Sequence, residues 1–163
     1  KARYLSTQAK DDPVRYVHNE IGYNFRMTNI QAALGVAQLE QLPGFLKRKC
    51  EIFRQYQDMM NDIVGLTLAA VPDYADNNHW MNLLKINSSV NGQDREVLMH
   101  RLEEKGIQTR PVWHLNHLQK PYQNCQAYSI ENAQKLVEDS LCLPSSSQLC
   151  NEDIAKIVEA LNE

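Results

Sequence analysis

His18–Leu42, HNEIGYNFRMTNIQAALGVAQLEQL, changes character halfway along its length. Its first part gathers His18, Asn19, Glu20, Tyr23, Asn24 and Arg26 around Gly22, a residue able to make backbone turns that others resist. Its second part is a run of strong helix formers with small residues at Ala32, Ala33, Gly35 and Ala37. Thr28 or Asn29 is placed to cap that helix by accepting from its free amides. Ile30, Ala33, Leu34 and Ala37 recur at spacings of three and four and make one apolar face. The small side chains let another backbone come close. A polar loop suited to phosphate or amide groups, leading into a tightly packing helix, fits a ligand site on a rigid base. The same residues also fit a capped, buried helix with a hydrogen-bonded entry loop.

Upstream, KARYLSTQAK reads as a short helix that Asp11, Asp12 and Pro13 bring to a stop. Downstream, Pro43-Gly44 predicts a break or sharp kink. A second helix follows from Phe45 to Val64, with Phe45, Ile52, Tyr56, Met59 and Ile63 on its apolar face. Lys47, Arg48, Lys49, Glu51 and Arg54 mark the other face, either solvated or a seat for a nucleotide phosphate. Gly65 is the expected left-handed cap. Strands are expected at 66–70, 79–86 and 141–143, with an extended segment at 107–113 that contains Pro111. Helices are expected at 93–105 and 129–139. A last helix, capped by Asn151, carries the stripe Ile154, Ile157, Val158 and Leu161. The order predicts an α+β fold: long helices and a small, mostly antiparallel sheet.

With 163 residues, the chain has room for one domain with a real core. A net charge of −3 and no basic block give no electrostatic case for nucleic acid. No apolar run reaches bilayer length, so no membrane partner is expected. Cys50, Cys125, Cys142 and Cys150 form no CxxC pair, and adding His114 and His117 matches no common zinc spacing. No metal site is expected, and the cytoplasm is the expected compartment. Lys1 is not an initiator methionine, and a fragment of a larger protein is the expectation.

GYNFRMTNIQAALGVAQLEQL resembles the signature that follows the cofactor lysine in DegT/StrS-type sugar aminotransferases. EEKGIQTRPVWHLNHLQKPY and LCLPSSSQL extend the resemblance through most of the chain. RPVWHLNHLQKPY is most similar to the branch acting on UDP-linked 4-keto-6-deoxy-N-acetylhexosamines. The resemblance implies the C-terminal part of a fold-type I aminotransferase. Residues 1–43 would be the connecting segment and interface helix from the large domain, and 44–163 the C-terminal small domain. It also implies a homodimer using pyridoxal 5'-phosphate to move an amino group from glutamate to a nucleotide-linked 4-keto-6-deoxy sugar, for lipopolysaccharide or another surface glycan. None of the lysines lies in a sequence resembling the family's lysine loop, and the ring-nitrogen aspartate belongs to the preceding part. No catalytic residue is therefore expected within this chain, which by itself should neither be active nor hold the cofactor. The alternative is a non-enzymatic dimerisation or regulatory module on the same fold.

The resemblance implies that Asn24 reaches a partner's cofactor phosphate across the dimer and that His117 lies near substrate. From its chemistry, Arg26 offers a planar fork for phosphate, or for a salt bridge at the helix terminus. Tyr23 can stack on a sugar or base, or wedge the loop; His18 can bond a substrate hydroxyl or serve the loop. Arg110, Trp113, His114 and His117 make a plausible wall for a nucleotide sugar. The competing reading is a loop that Trp113 anchors in the core while both histidines face solvent.

Overall fold

The computed structural model describes residues 1–163, which divide into two compact units, Lys1–Pro43 and Gly44–Glu163. In the second unit four short strands form one antiparallel sheet in the order β1-β2-β4-β3. They are β1 (Leu66–Leu68), β2 (Asn82–Ile86), β3 (Arg110–Pro111) and β4 (Ser140–Leu143). The register pairs Leu66 with Ile86, Leu68 with Leu84, and Leu84 with Leu141. Alternation along each strand then sends these leucines and isoleucines to one face. That face is buried with Leu98 and Leu102 of α4 (Arg95–Glu104) and with Ile154, Ile157, Val158 and Leu161 of α6 (Asn151–Asn162). The expected stripe on the last helix is therefore the core stripe. Each such side chain contributes about 1.5–3 kcal/mol on burial.

The long helix α2 spans Asn29–Met60, with Pro43 inside it. Of the break or sharp kink expected at Pro43-Gly44, the break does not occur. A proline removes one backbone donor, but good helix formers on both sides carry the hydrogen-bonded run past it. Within Gly44–Glu163 the helix buries Ile52, Tyr56 and Met60, a spacing of four. Met59, expected on that face, is 43% exposed; the register runs through Met60 instead. Tyr56 donates its hydroxyl to the Pro144 carbonyl at 3.0 Å, and burial pushes the phenol pKa up. Arg48 and Lys49 are neither free in solvent nor open to a phosphate. Arg48 donates to the Leu149 carbonyl, while Lys49 donates to the carbonyls of Ser145 and Trp80, the latter at 3.2 Å. Burial holds the Lys49 pKa below its ordinary value.

Several boundaries differ from expectation for local reasons. Gly65, at φ +80°, does not cap α2 but turns the chain into β1, where a Cβ would sit 2.7 Å from Asn91 N. β2 begins at Asn82, not at His79, because His79 takes φ +48° and cannot continue a strand. The residues at 107–113 form only the two-residue β3. Cys150, not Asn151, caps α6: its backbone N–H and thiol both bond Asp153, closing a capping box. The Asn151 amide oxygen instead accepts from Gln55 at 2.9 Å. The sheet is flanked further by α3 (Ser88–Asn91) and α5 (Glu131–Glu138). All four cysteines are free thiols, and no helix is long and apolar enough to cross a membrane.

In Lys1–Pro43 the helix expected over ten residues is only α1 (Ala2–Leu5). Leu5 and the residues after it bond to the later loop: Thr7 pairs antiparallel with Asn24, and Tyr23 N donates to Leu5 O at 2.8 Å. Thr28 and Gln31 cap α2 reciprocally, each side chain accepting from the other's backbone N–H, at 3.3 and 2.9 Å. The apolar face that the spacing marks on α2 is exposed within this chain. Ile30 is 83% and Leu34 63% exposed, because nothing in this unit packs on them.

Candidate functional site: two outward-facing clusters

The first cluster is the loop that enters α2. Gly22 does not adopt the left-handed backbone expected of a turn glycine. Its requirement is space: a Cβ there would lie 2.3 Å from Ala9 N and 2.4 Å from Gln8 C. The loop therefore lies directly against the Gln8–Ala9 backbone. His18 Nδ1 donates to the Gln8 carbonyl at 2.7 Å, so this imidazole serves the loop. Asp11 fastens the other side, accepting from Asn19 N and Tyr4 Oη, both at 2.8 Å. The Asn19 amide, then the Tyr4 hydroxyl, hold the Asp11 carboxyl below its usual range, and the same bond pushes Tyr4 up to about 12. Both groups thus keep the protonation state that the bond needs.

On this fastened loop Tyr23, Asn24 and Arg26 are all exposed. Tyr23 stacks on Phe25, ring centroids 5.4 Å apart and 10° from parallel, so its ring is neither a wedge nor isolated. Asn24 Oδ1 accepts from Arg26 N at 3.3 Å, which leaves the amide Nδ2 as an outward donor. The Arg26 guanidinium takes part in none of the chain's ion pairs, and the helix-terminus salt bridge is not formed. The pair presents neutral and charged donors side by side, chemistry suited to phosphate oxygens.

The second cluster follows β3. Arg110 is exposed and pairs in the sheet with Cys142. Trp113 is 61% exposed, so it does not anchor the loop in the core. It stacks on Trp80, 5.8 Å away and 20° from parallel; Trp80 is itself 63% exposed. His114 is exposed, while His117 is half-buried on the single 3-10 turn Asn116–Leu118.

Trp80 is the residue that sequence reasoning missed as a site candidate, because the expected strand placed it in a row of sheet residues. The usable signal was Asn77-Asn78 just before it. Their side-chain oxygens accept from His79 N and Trp80 N, each at 3.0 Å, and curl the chain out of extended form. His79 is then packed on Phe53, ring centroids 4.3 Å apart, and burial holds its pKa down. With Lys49 on the Trp80 carbonyl, the backbone is tied while the indole faces out. No group of three or more His, Cys, Asp or Glu side chains is arranged to hold a metal ion.

Residues 1–162 match the DegT/DnrJ/EryC1/StrS aminotransferase family, and the chain belongs to that family. EpsN of Bacillus subtilis is 33% identical over 167 residues, covering 99% of this chain and 42% of EpsN. GDP-perosamine synthase of Escherichia coli O157:H7 is 37% identical over 150 residues, covering 91% of this chain and 39% of the synthase. The crystal structure of DesI with its TDP-sugar product superposes with a TM-score of 0.80 at 24% identity, over 98% of this chain and 41% of DesI. The fold is thus that of part of a sugar aminotransferase. The chain spans about two fifths of the length of these relatives.

Proposed function

We propose that this chain is the C-terminal part of a cytoplasmic, homodimeric nucleotide-sugar aminotransferase that uses pyridoxal phosphate and glutamate. In this reading Lys1–Pro43 is the connecting segment and interface helix, and Gly44–Glu163 the small domain. The observation that carries it is the family match over residues 1–162. Pyridoxal phosphate, when bound, supplies the electron sink through which an amino group changes carrier. The residues fit such a group: Asn24 Nδ2 is an uncommitted donor for its phosphate, offered here to the partner subunit's site. Arg26 offers its fork to the substrate's pyrophosphate, with Tyr23 beside it. Trp113, backed by Trp80, gives a flat apolar face for the base or sugar, and His117 a polar group at its edge. The reacting lysine is supplied from outside these 163 residues, so the chain alone is inactive.

The acceptor is read as a nucleotide-linked 4-keto-6-deoxy sugar. RPVWHLNHLQKPY favours a UDP-linked acetamido sugar, whereas one relative is named for a GDP-linked product. Trp80 and Trp113 are the only tryptophans, so quenching of intrinsic fluorescence by UDP, GDP or TDP ranks the nucleotides.

Mutation tests the cofactor role in the longer enzyme. Asn24→Ala removes one hydrogen bond to a charged phosphate oxygen, about 1.5–3 kcal/mol, and weakens cofactor retention roughly ten- to a hundredfold. Arg26→Ala weakens nucleotide-sugar binding more than cofactor binding. A mixed dimer, pairing an Asn24→Ala subunit with one lacking the cofactor lysine, leaves a single lysine-bearing site completed by the intact Asn24. That site should hold cofactor normally. If it is as impaired as the Asn24→Ala homodimer, Asn24 acts within its own subunit and the cross-subunit role is wrong.

A further inference from the structure

On the sheet face opposite the core, Thr67 pairs with Lys85 and Lys85 with Ser140. Directly opposed residues of antiparallel strands project to the same side, so β1, β2 and β4 set three polar side chains in one row. This row forms the floor of a cleft of about 840 Å³, walled by Lys135 of α5 and by Asp139 just beyond it. The volume lies within the usual range for small-molecule sites. Ser140 is completely buried, and its hydroxyl has no hydrogen-bond partner. Buried hydroxyls are ordinarily satisfied, and the residue that carries this one is part of the cleft's lining. Lys85 and Lys135 take part in none of the chain's ion pairs. Against them stands a single carboxylate, Asp139, so the charge at the cleft is net positive.

We propose that this cleft binds a small phosphate ester carrying free hydroxyls, of the sugar-phosphate class. The two ammonium groups and the hydroxyls of Ser140 and Thr67 take the phosphoryl oxygens, charge-assisted bonds that only an anion makes in full. Asp139, which accepts but does not donate when ionised, takes a ligand hydroxyl. Inorganic phosphate has only its own P–OH to offer that carboxylate, and a neutral sugar leaves both ammonium groups unmatched. None of Tyr23, Asn24, Arg26, Trp113 and His117 lines this cleft, so the inference stands apart from the aminotransferase reading.

Calorimetric titration of the full-length protein with glucose 1-phosphate, inorganic phosphate and glucose tests the assignment. Glucose 1-phosphate is expected to bind best, inorganic phosphate more weakly, and glucose not measurably. Each of Lys85→Gln and Lys135→Gln should cost about tenfold in affinity for glucose 1-phosphate, about 1.4 kcal/mol. Both lysines are exposed, so the variants should fold, and their unliganded melting temperatures check this. Ser140→Ala separates a binding hydroxyl from an idle one: it should lower affinity while raising the unliganded melting temperature. The proposal is overturned if Lys85→Gln/Lys135→Gln binds glucose 1-phosphate as wild type does. It is equally overturned if glucose binds as tightly as its phosphate.

Discussion

Gly22→Ala tests the loop on which the candidate donors stand. The added methyl carbon would lie 2.3 Å from Ala9 N, 2.4 Å from Gln8 C and 2.7 Å from Ala9 Cβ. Two of these contacts are backbone, so no flexible side chain can swing away. Retreat of the Gln8–Ala9 segment is resisted because both residues already sit at positive φ, 71° and 47°. It also pulls on two hydrogen bonds, Gln8 N to Tyr23 O at 3.0 Å and Ala9 N to Tyr4 O at 2.9 Å. Overpacking costs about 1–3 kcal/mol. Losing the two bonds adds about 0.5–1.5 kcal/mol each. A local destabilisation of about 2–6 kcal/mol follows, enough to open the loop while Gly44–Glu163 keeps its own core. Amide hydrogen exchange on the 163-residue chain reads this residue by residue. Tyr23 and Phe25, which donate to Leu5 and Ser6 at 2.8 and 3.0 Å, should lose most of their protection. Amides of β2 and β4 should be unchanged. If Tyr23 and Phe25 exchange as in wild type, the close packing assigned to Gly22 is wrong.

His79 gives a pH test. Burial first, then the charge of Arg54, lower its pKa in the fold, so the unfolded chain takes up the proton first. Its contribution is present above the unfolded value of about 6.5 and is lost as pH falls toward the lower folded value. His79→Gln should flatten the fall in melting temperature between about pH 7 and the folded value; an unchanged slope counts against this burial. Gly35→Ala should stabilise the 163-residue chain by about 0.5–1 kcal/mol, because its Cβ would meet nothing within 4 Å and alanine favours helix. In the longer enzyme the same change should weaken the dimer by sedimentation, and a rise in both quantities would show that no backbone packs at Gly35.

The α+β class was legible because the core residues obey simple periods. Ile154, Ile157, Val158 and Leu161 are all buried, and the alternation around Leu84 and Ile86 places both in the core. Misreadings arose where a side chain found a partner distant in sequence. Arg48 looked like part of a basic surface, but its guanidinium meets the carbonyl of Leu149, far along the chain. Asn151 had the chemistry of a cap, yet Gln55 occupies its oxygen and Cys150 caps instead. Pro43 carried a local helix-breaking signal that the surrounding helix overrode. The site was partly legible: the donors Asn24 and Arg26 stood out by type, but the Trp80–Trp113 pair joins segments that only the sheet brings together.

Burial itself separates the two units. In Gly44–Glu163 the apolar positions that the periods mark are mostly buried, and the sheet and its helices account for them. In Lys1–Pro43 the same kind of signal fails to find a core within the chain. Ile30, Leu34 and Leu39 on α2 are 83%, 63% and 66% exposed, and Phe25 on the loop is 76% exposed. The failure is not one of helix formation, since Thr28 and Gln31 cap α2 as their spacing requires. Apolar surface on this scale is uncommon on a free monomer. The exposed apolar row begins directly beside Asn24 and Arg26. Burying it against the proposed large domain and second subunit would therefore carry those two donors into the interface, where a cross-subunit phosphate contact requires them.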